Sequence, residues 1–135
     1  MTYLLDTNVV SELRRRAPDP AVVAWFATVD GADLFLSVLV VGEIEQGIER
    51  LRQRDAVRAR ALTTWLDGLR SSFAHRIAPV SLDVALTWGR LNATRPLPVV
   101  DGLLAATALT RGWTLVRRNE RDLADTGVSL LNPFT

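Results

Sequence analysis

The chain has 135 residues, 48% of them hydrophobic and 23% charged, so it can bury the core of one ordinary domain. Its formal net charge of +1 is not that of a general polyanion-binding protein, and the lack of cysteine excludes a disulfide framework or a thiolate metal site. No apolar run approaches the roughly 20 residues of a membrane span, and no signal peptide is recognisable. We therefore expect a single domain over 1–135, in the cytoplasm and away from membranes.

Short apolar runs alternate with helical patterns along the chain. A strand is expected at Tyr3–Leu5, followed by a helix over 7–15 whose last turn is rich in arginine, as the helix dipole favours. Asp19 is placed to cap a second helix that has Pro20 at its first position. The other expected elements are, in order, a strand in LFLSV, helices in VVGEIEQGIERLRQR and DAVRARALTTWLDGLRSSF, a strand at 77–80, helices in SLDVALTWGRLNA and VVDGLLAATALTRG, and strands in WTLV and VSLL.

Alternation of this kind predicts an α/β fold, a three-layer α/β/α sandwich with a central, mainly parallel sheet of about five strands. Ligands of such sheets bind beyond the carboxyl ends of the strands. Asp6 directly follows the first strand, so it would lie at that edge.

Several kinds of catalytic site are disfavoured by the residues that the chain lacks. His75 is the only histidine, and we interpret it as a surface residue, which disfavours zinc catalysis and a serine triad. The sequence contains neither a nucleophile elbow nor a P-loop. Carboxylate chemistry remains, and carboxylates suit Mg²⁺ or Mn²⁺.

Three carboxylates stand out because their neighbours in the sequence are apolar: Asp6, Glu43 and Asp101. Each has an ordinary structural interpretation, since Asp6 and Asp101 are placed to cap helices and Glu43 could be a solvated helix residue. Together they would gather like charges at one edge of the sheet, which is costly unless a cation neutralises them.

Five segments of the chain form a recognisable series: LLDTNVVSEL, LSVLVVGEIEQGI, LPVVDGLLAATAL, TLVRRNERDL and LLNPF. In these segments the chain resembles the PIN-domain ribonucleases, and more narrowly the VapC toxins of VapBC toxin–antitoxin modules and their FitB-like branch. The resemblance runs in order over essentially the whole chain.

The resemblance implies a site at matching positions. Asp6, Glu43 and Asp101 would be catalytic and metal-binding acids, supported by Thr7 and Asn8 of the D-T-N signature. The family's fourth motif, T-R-[DN]-x-x-D-F, reads R-R-N-E-R-D-L over 117–123.

Two positions of the fourth motif bear on the metal site. Asn119, a neutral oxygen donor, stands where many relatives have an acid, so either Asn119 or the catalytic candidate Asp122 would fill the fourth position. Arg117 replaces the hydroxyl residue, and these departures put a second metal in doubt.

The function implied is that of a toxin that hydrolyses RNA phosphodiester bonds with Mg²⁺ or Mn²⁺, on transfer or ribosomal RNA, and that a VapB-type antitoxin inhibits. Metal catalysis would activate water, so no protein nucleophile is needed. The resemblance also implies a homodimer that meets operator DNA only through the antitoxin. The candidates for contacts with RNA phosphates are Arg14, Arg15, Arg117 and Arg118, for which a solvated helix face is an equal alternative.

Two functions of other classes are alternatives. A PIN-fold binding module with little catalysis, acting in a DNA-bound repressor complex, is the alternative that the altered fourth motif favours. A response-regulator receiver would need two acids together after its first strand and a lysine after its last, and this chain has no lysine. A DNA-directed flap-type nuclease of the same broad superfamily is also left open, although at 135 residues it would lack the additional DNA-gripping elements of such enzymes.

Overall fold

The computed structural model describes residues 1–135. Its strands are β1 (Tyr3–Leu5), β2 (Leu34–Ser37), β3 (Ile77–Ala78), β4 (Thr114–Val116) and β5 (Ser129–Leu131). Its α-helices are α1 (Thr7–Glu12), α2 (Pro20–Thr28), α3 (Val38–Arg52), α4 (Ala56–Ser72), α5 (Leu82–Thr94) and α6 (Val99–Arg111), and single 3₁₀ turns lie at Gly31–Asp33 and Arg121–Leu123. None of the helices combines the length and the apolar character that crossing a membrane requires.

The five strands form one sheet in the order β3-β2-β1-β4-β5, and every neighbouring pair is parallel. The connections from β1 to β3 run across the sheet in one direction, and the connection from β3 to β4 runs in the other. Right-handed crossovers then place α1 to α4 on one face and α5 and α6 on the opposite face. The predicted three-layer α/β/α sandwich is confirmed.

The core lies between the sheet and these two helical layers. It is a cluster of 19 buried hydrophobic residues, most of which lie in β1, β2, β4, α1, α3, α4 and α6. Leu4, Leu36 and Leu115 come from the three middle strands and are fully buried. Strands buried on both faces are expected to be apolar throughout, which is why the sequence shows runs rather than alternation.

The predicted elements are all present, with three local differences. α1 ends at Glu12 rather than at residue 15, because the chain leaves the helix through i→i−3 hydrogen bonds from Arg14 and Arg15. The third strand is only Ile77–Ala78. Ser81 precedes α5, but its hydroxyl bonds the side chain of Asp83 instead of capping the helix.

The topology has one switch point, between β1 and β4. The chain leaves β1 toward β2 on one side, while β4 arrives on the other side from the opposite face of the sheet. Ligand sites of open α/β sheets form outside the carboxyl ends of the strands at such a point. Here those ends are followed at once by Asp6 and Arg117.

Candidate metal centre at the carboxyl edge of the sheet

Asp6 and Arg117 are neighbours across the switch point because the two strands are in register. Leu5 pairs with Val116, so the next residues of β1 and β4 lie side by side. The Asp6 amide donates to the Val116 carbonyl at 2.9 Å, which extends the ladder by one bond. The Asp6 carboxylate faces two ways, with Oδ1 accepting from the Thr7 amide at 2.7 Å and Oδ2 lying 3.7 Å from Arg117 Nε. The expected capping role of Asp6 therefore uses only one of its oxygens.

Glu43 is brought to the same edge by α3, which begins directly after β2. Ser37 ends that strand and caps the helix, its hydroxyl accepting from the Leu39 amide at 3.0 Å. Glu43 follows in the second turn, and its Oε1 accepts a 2.6 Å hydrogen bond from the Thr7 hydroxyl. Glu43 is half-buried, whereas Glu45 and Glu49 on the same helix are exposed. The solvated-face interpretation of Glu43 is therefore wrong.

Asp101 comes from the other side of the sheet, in the first turn of α6. Pro98 occupies the N-cap position of this helix, and no side chain makes a capping hydrogen bond. The structure thus gives Asp101 no capping role; its Oδ1 lies 3.5 Å from Arg117 Nη1. The adjacent Gly102 is buried against the indole of Trp88, where an added Cβ would meet Trp88 Nε1 at 3.0 Å.

Arg117 lies inside this acidic group rather than on the surface. Its side chain is 8% exposed, that of Asp6 12% and that of Asp101 28%. Burial raises the pKa of the Asp6 carboxyl, while the Arg117 guanidinium and the Thr7 amide lower it and the charges of Asp101 and Glu43 raise it further; the net shift is upward. Burial thus outweighs the one positive charge beside Asp6.

Asn119 and Asp122, the two candidates for the fourth position, bond to each other. Asn119 Nδ2 donates to Asp122 Oδ2 at 2.9 Å, and Asn119 Oδ1 accepts from the Arg121 amide at 3.1 Å. Both side chains are exposed, and Arg95 holds this loop by donating to the Asp122 carbonyl at 2.8 Å. The structure brings Asn119 and Asp122 into no hydrogen bond with Asp6, Glu43 or Asp101.

The arginine candidates separate into two groups. Arg14, Arg15 and Arg118 are exposed and line one depression together with Asn8, which is also exposed. Arg15 forms an ion pair with Glu12 at 3.1 Å, and Arg118 lies over the ring of Phe134 at 4.6 Å. Arg117 differs from these in being buried, because it continues an interior strand.

A groove of about 240 Å³ leads away from Glu43 between α1, α3 and α4. Its walls combine the acid with Ser11, Gly47, Leu62 and Trp65, and Arg14 lies 5.8 Å above the Trp65 ring. Gly47 follows Glu43 by one helical turn and leaves the groove open, since an added Cβ there would have no neighbour within 4 Å. The spacing of Glu43 and Gly47, one helical turn apart, is the signal in the sequence that indicates this groove.

Aromatic residues and one buried acid complete the surroundings. Trp25 and Phe26 pack edge to face with each other and against the core, as ordinary helix packing predicts. His75 is exposed, as expected. Glu12 was not singled out from the sequence, yet it is 5% exposed and accepts from the Asp19 amide at 2.8 Å, which holds the link between α1 and α2.

The donor types suit a hard divalent cation, since such ions prefer carboxylate oxygens and parallel sheets bind ligands at this edge. As the side chains are placed, however, no three acidic or histidine side chains are close enough together to hold one ion. Arg117 lies between two of the acids, and its Nε and Nη1 form no hydrogen bond. The acids thus suit a metal by their chemistry, while the structure places a guanidinium beside two of them.

Comparison with known proteins identifies the family of this chain. The family profile of the PIN domain matches residues 3–128. A VapC ribonuclease of Sinorhizobium fredii is 30% identical over 97% of this chain and 96% of its own length, and the toxin FitB of Neisseria gonorrhoeae is 30% identical over 97% of each chain.

Solved structures are similar over the full length as well. The crystal structure of FitAcB from Neisseria gonorrhoeae has a TM-score of 0.90 and 29% identity over 98% of this chain and 99% of the other. A structure of FitAB bound to a DNA fragment has a TM-score of 0.89 and 28% identity over 99% of this chain and 96% of the other. The chain therefore belongs to the PIN-domain family, with homologues among the VapC ribonucleases and the FitB toxins.

Proposed function

We propose that the chain is the toxin of a type II toxin–antitoxin module and acts as a metal-dependent endoribonuclease. One observation carries the proposal: Asp6, Glu43 and Asp101, far apart in sequence, converge at the switch point through Thr7 and Arg117. Gathering like charges in a partly buried place costs stability and is typical of a functional site. The two relatives that align over 97% of this chain are a ribonuclease and a toxin, which favours the same function.

Asp6, Glu43 and Asp101 would hold Mg²⁺ or Mn²⁺, and Asp122 would assist from the adjacent loop. The ion would supply activation of water and stabilisation of phosphoryl charge. Thr7 holds the Glu43 carboxylate in one orientation through its 2.6 Å hydrogen bond. Asp101 has the more exposed side chain of the two acids beside Arg117, so it is the better placed of that pair to accept a proton from attacking water.

RNA would approach over the exposed depression formed by Arg14, Arg15, Arg118 and Asn8. Guanidinium groups suit phosphates because they donate two parallel hydrogen bonds. The proposed substrates are structured RNAs of the cytoplasm, transfer or ribosomal RNA. Since Arg15 is already paired with Glu12, Arg14 and Arg118 are the freer candidates.

A VapB-type antitoxin would inhibit the enzyme by covering the groove that leads to Glu43. The groove offers apolar walls at Leu62 and Trp65 next to a carboxylate, which suits a segment with aliphatic side chains and one basic residue. The similar solved structures include toxin–antitoxin complexes. We propose that the toxin forms a homodimer and contacts operator DNA only through the antitoxin.

Cleavage assays with acid-to-amide variants test this function. Asp6→Asn, Glu43→Gln and Asp101→Asn should each abolish Mg²⁺-dependent cleavage of transfer RNA, and growth arrest on expression. Glu45→Gln is the matched control, because Glu45 lies two residues from Glu43 on the same helix but is exposed. Added antitoxin should suppress cleavage by the wild type. If the three variants cleave as fast as the control, the proposed enzyme is wrong.

A binding module without catalysis is the second candidate, and the position of Arg117 favours it. A guanidinium between Asp6 and Asp101 could neutralise the acids without a metal. Such a protein would act with its antitoxin in a DNA-bound repressor. It would show no Mg²⁺-dependent cleavage at any metal concentration, yet its complex with antitoxin would still bind operator DNA.

A further inference from the structure

Arg117 is a buried cation in a place where a hydroxyl residue was expected. It follows β4, an interior strand, and its side chain is 8% exposed. The backbone amide of Arg117 donates to the Leu131 carbonyl at 3.0 Å, so the residue is anchored to β5 as well. The position of its backbone is therefore set by the sheet, and its side chain is buried there.

The Arg117 guanidinium has an acid on each of two sides, and its Nε and Nη1 have no other partner. Nε lies 3.7 Å from Asp6 Oδ2 and Nη1 lies 3.5 Å from Asp101 Oδ1, distances of ion pairs rather than of well-formed hydrogen bonds. Neither nitrogen donates a hydrogen bond. What holds Arg117 among these groups is thus charge, since a buried charge is tolerated only when it is paired.

We propose that Arg117 is the resident counter-cation of this site, which neutralises Asp6 and Asp101 in the metal-free protein and weakens the binding of divalent metal. A divalent ion held by the same two carboxylates would lie within a few ångströms of the guanidinium. Repulsion between cations at such distances greatly exceeds thermal energy where water is largely excluded. This inference rests on the proposed metal site.

The consequence is that the metal competes with a side chain of the protein itself. The metal-free state retains its charge balance, so loss of metal does not leave three carboxylates without a partner. Metal affinity should then be lower than the three acids alone would produce, and the chain needs a higher metal concentration for loading.

Calorimetric titration with Mn²⁺ tests the inference on variants that remove the charge but keep a flexible side chain. Arg117→Met and Arg117→Gln should each bind Mn²⁺ at least about tenfold more tightly than wild type. Arg117→Lys keeps the charge and should stay near wild type. Arg54→Met is the control, because Arg54 is exposed beyond the C-terminal end of α3 and should leave the affinity unchanged.

Thermal melts with a chelator and with Mn²⁺ provide the second readout. The Met and Gln variants should have a lower melting temperature than wild type in the chelator, and Mn²⁺ should raise their melting temperature by more. Variants that fold only when Mn²⁺ is present would be the extreme form of this result. Unchanged or weaker Mn²⁺ binding by both variants, tighter binding by Arg117→Lys, or failure of both to fold even in excess Mn²⁺ would overturn the inference. In those cases the metal site itself still stands if wild type binds Mn²⁺ and Asp6→Asn does not. If neither wild type nor any variant binds Mn²⁺, the metal site is overturned as well.

Discussion

The hydroxyl of Thr7 donates a 2.6 Å hydrogen bond to Oε1 of Glu43, across 36 positions of sequence. The amide of the same residue donates to Asp6. Thr7 therefore links the acid that follows β1 to the acid carried by α3, and it is a positioning residue for Glu43.

Removing this hydroxyl should impair cleavage without removing any charge. We expect Thr7→Val to lower kcat about tenfold or more, since an acid free to rotate is misplaced for most of the time. Stability should fall by about 1 kcal/mol for the lost hydrogen bond. Thr7→Ser keeps the hydroxyl, so it should retain most of the wild-type kcat and most of the wild-type free energy of unfolding. RNA cleavage and urea unfolding measure the two quantities. Equal kcat in the valine and serine variants would contradict the positioning role.

Arg117 makes the two acids beside it interdependent. Asp6→Asn alone leaves Arg117 next to Asp101, and it removes a carboxylate whose charged form is disfavoured by burial, so metal-free stability should stay level or rise. The double variant Asp6→Asn with Asp101→Asn leaves a buried guanidinium without a counter-charge. It should be less stable than the sum of the single changes by about 1 kcal/mol or more.

A double-mutant cycle by urea unfolding in the presence of a chelator measures this coupling. The control cycle combines Asp6→Asn with Asp67→Asn, because Asp67 is exposed on α4 and has only a 3.9 Å ion pair with Arg70. The control cycle should be additive. Additivity in the Asp6–Asp101 cycle would mean that Arg117 does not depend on these acids.

The Asp6 carboxyl should titrate above the ordinary pKa of an aspartate in the metal-free protein. The folded state then holds this proton more tightly than the unfolded chain, whose pKa is about 3.9. The contribution of Asp6 to stability is therefore full below that unfolded-state value, and it is lost as pH rises through the higher folded-state pKa. The stability of Asp6→Asn relative to wild type should increase over that window.

Carboxyl-carbon NMR titration of the metal-free protein measures the Asp6 midpoint directly. The reference is the value of about 3.9 for an aspartate in an unfolded chain. An Asp6 midpoint at or below that reference would show that the Arg117 charge outweighs burial.

Gly102 should be more sensitive to an added methyl group than the other helical glycines. An alanine there would place Cβ 3.0 Å from Trp88 Nε1 and 3.1 Å from Trp88 Cδ1, so the indole has to move. Gly68 on α4 is exposed and has no neighbour within 4 Å, so Gly68→Ala should gain up to about 1 kcal/mol from helix propensity. We expect Gly102→Ala to be at least about 1 kcal/mol less stable than Gly68→Ala in urea unfolding. A shift of the first turn of α6 should also lower cleavage, because that turn carries Asp101.

Much of the fold can be predicted from local patterns. The apolar runs identify the three interior strands, β1, β2 and β4, because strands buried on both faces have little choice but aliphatic residues. The edge strands β3 and β5 are also short apolar runs in the sequence. Gly112 ends α6 with φ 70°, a conformation that glycine adopts without strain, and the sequence shows that stop directly. The end of α1 was missed, since it depends on Glu12, whose burial and bond to the Asp19 amide come from a contact outside the helix.

The three acids stand out in the sequence because their neighbours are apolar, and parallel strands bring the positions that follow them to one edge. The direction of each side chain is a different matter. Only the register of β1 with β4 puts Arg117 beside Asp6, and only the placement of α6 brings Asp101 to its other side. Likewise, the bond between Asn119 and Asp122 depends on how the loop after β4 closes. Local sequence determined the elements and the acids, because hydrophobic periodicity and helix stops act over a few residues; tertiary packing decided which charges face one another, because burial and register are set by segments far apart in the chain.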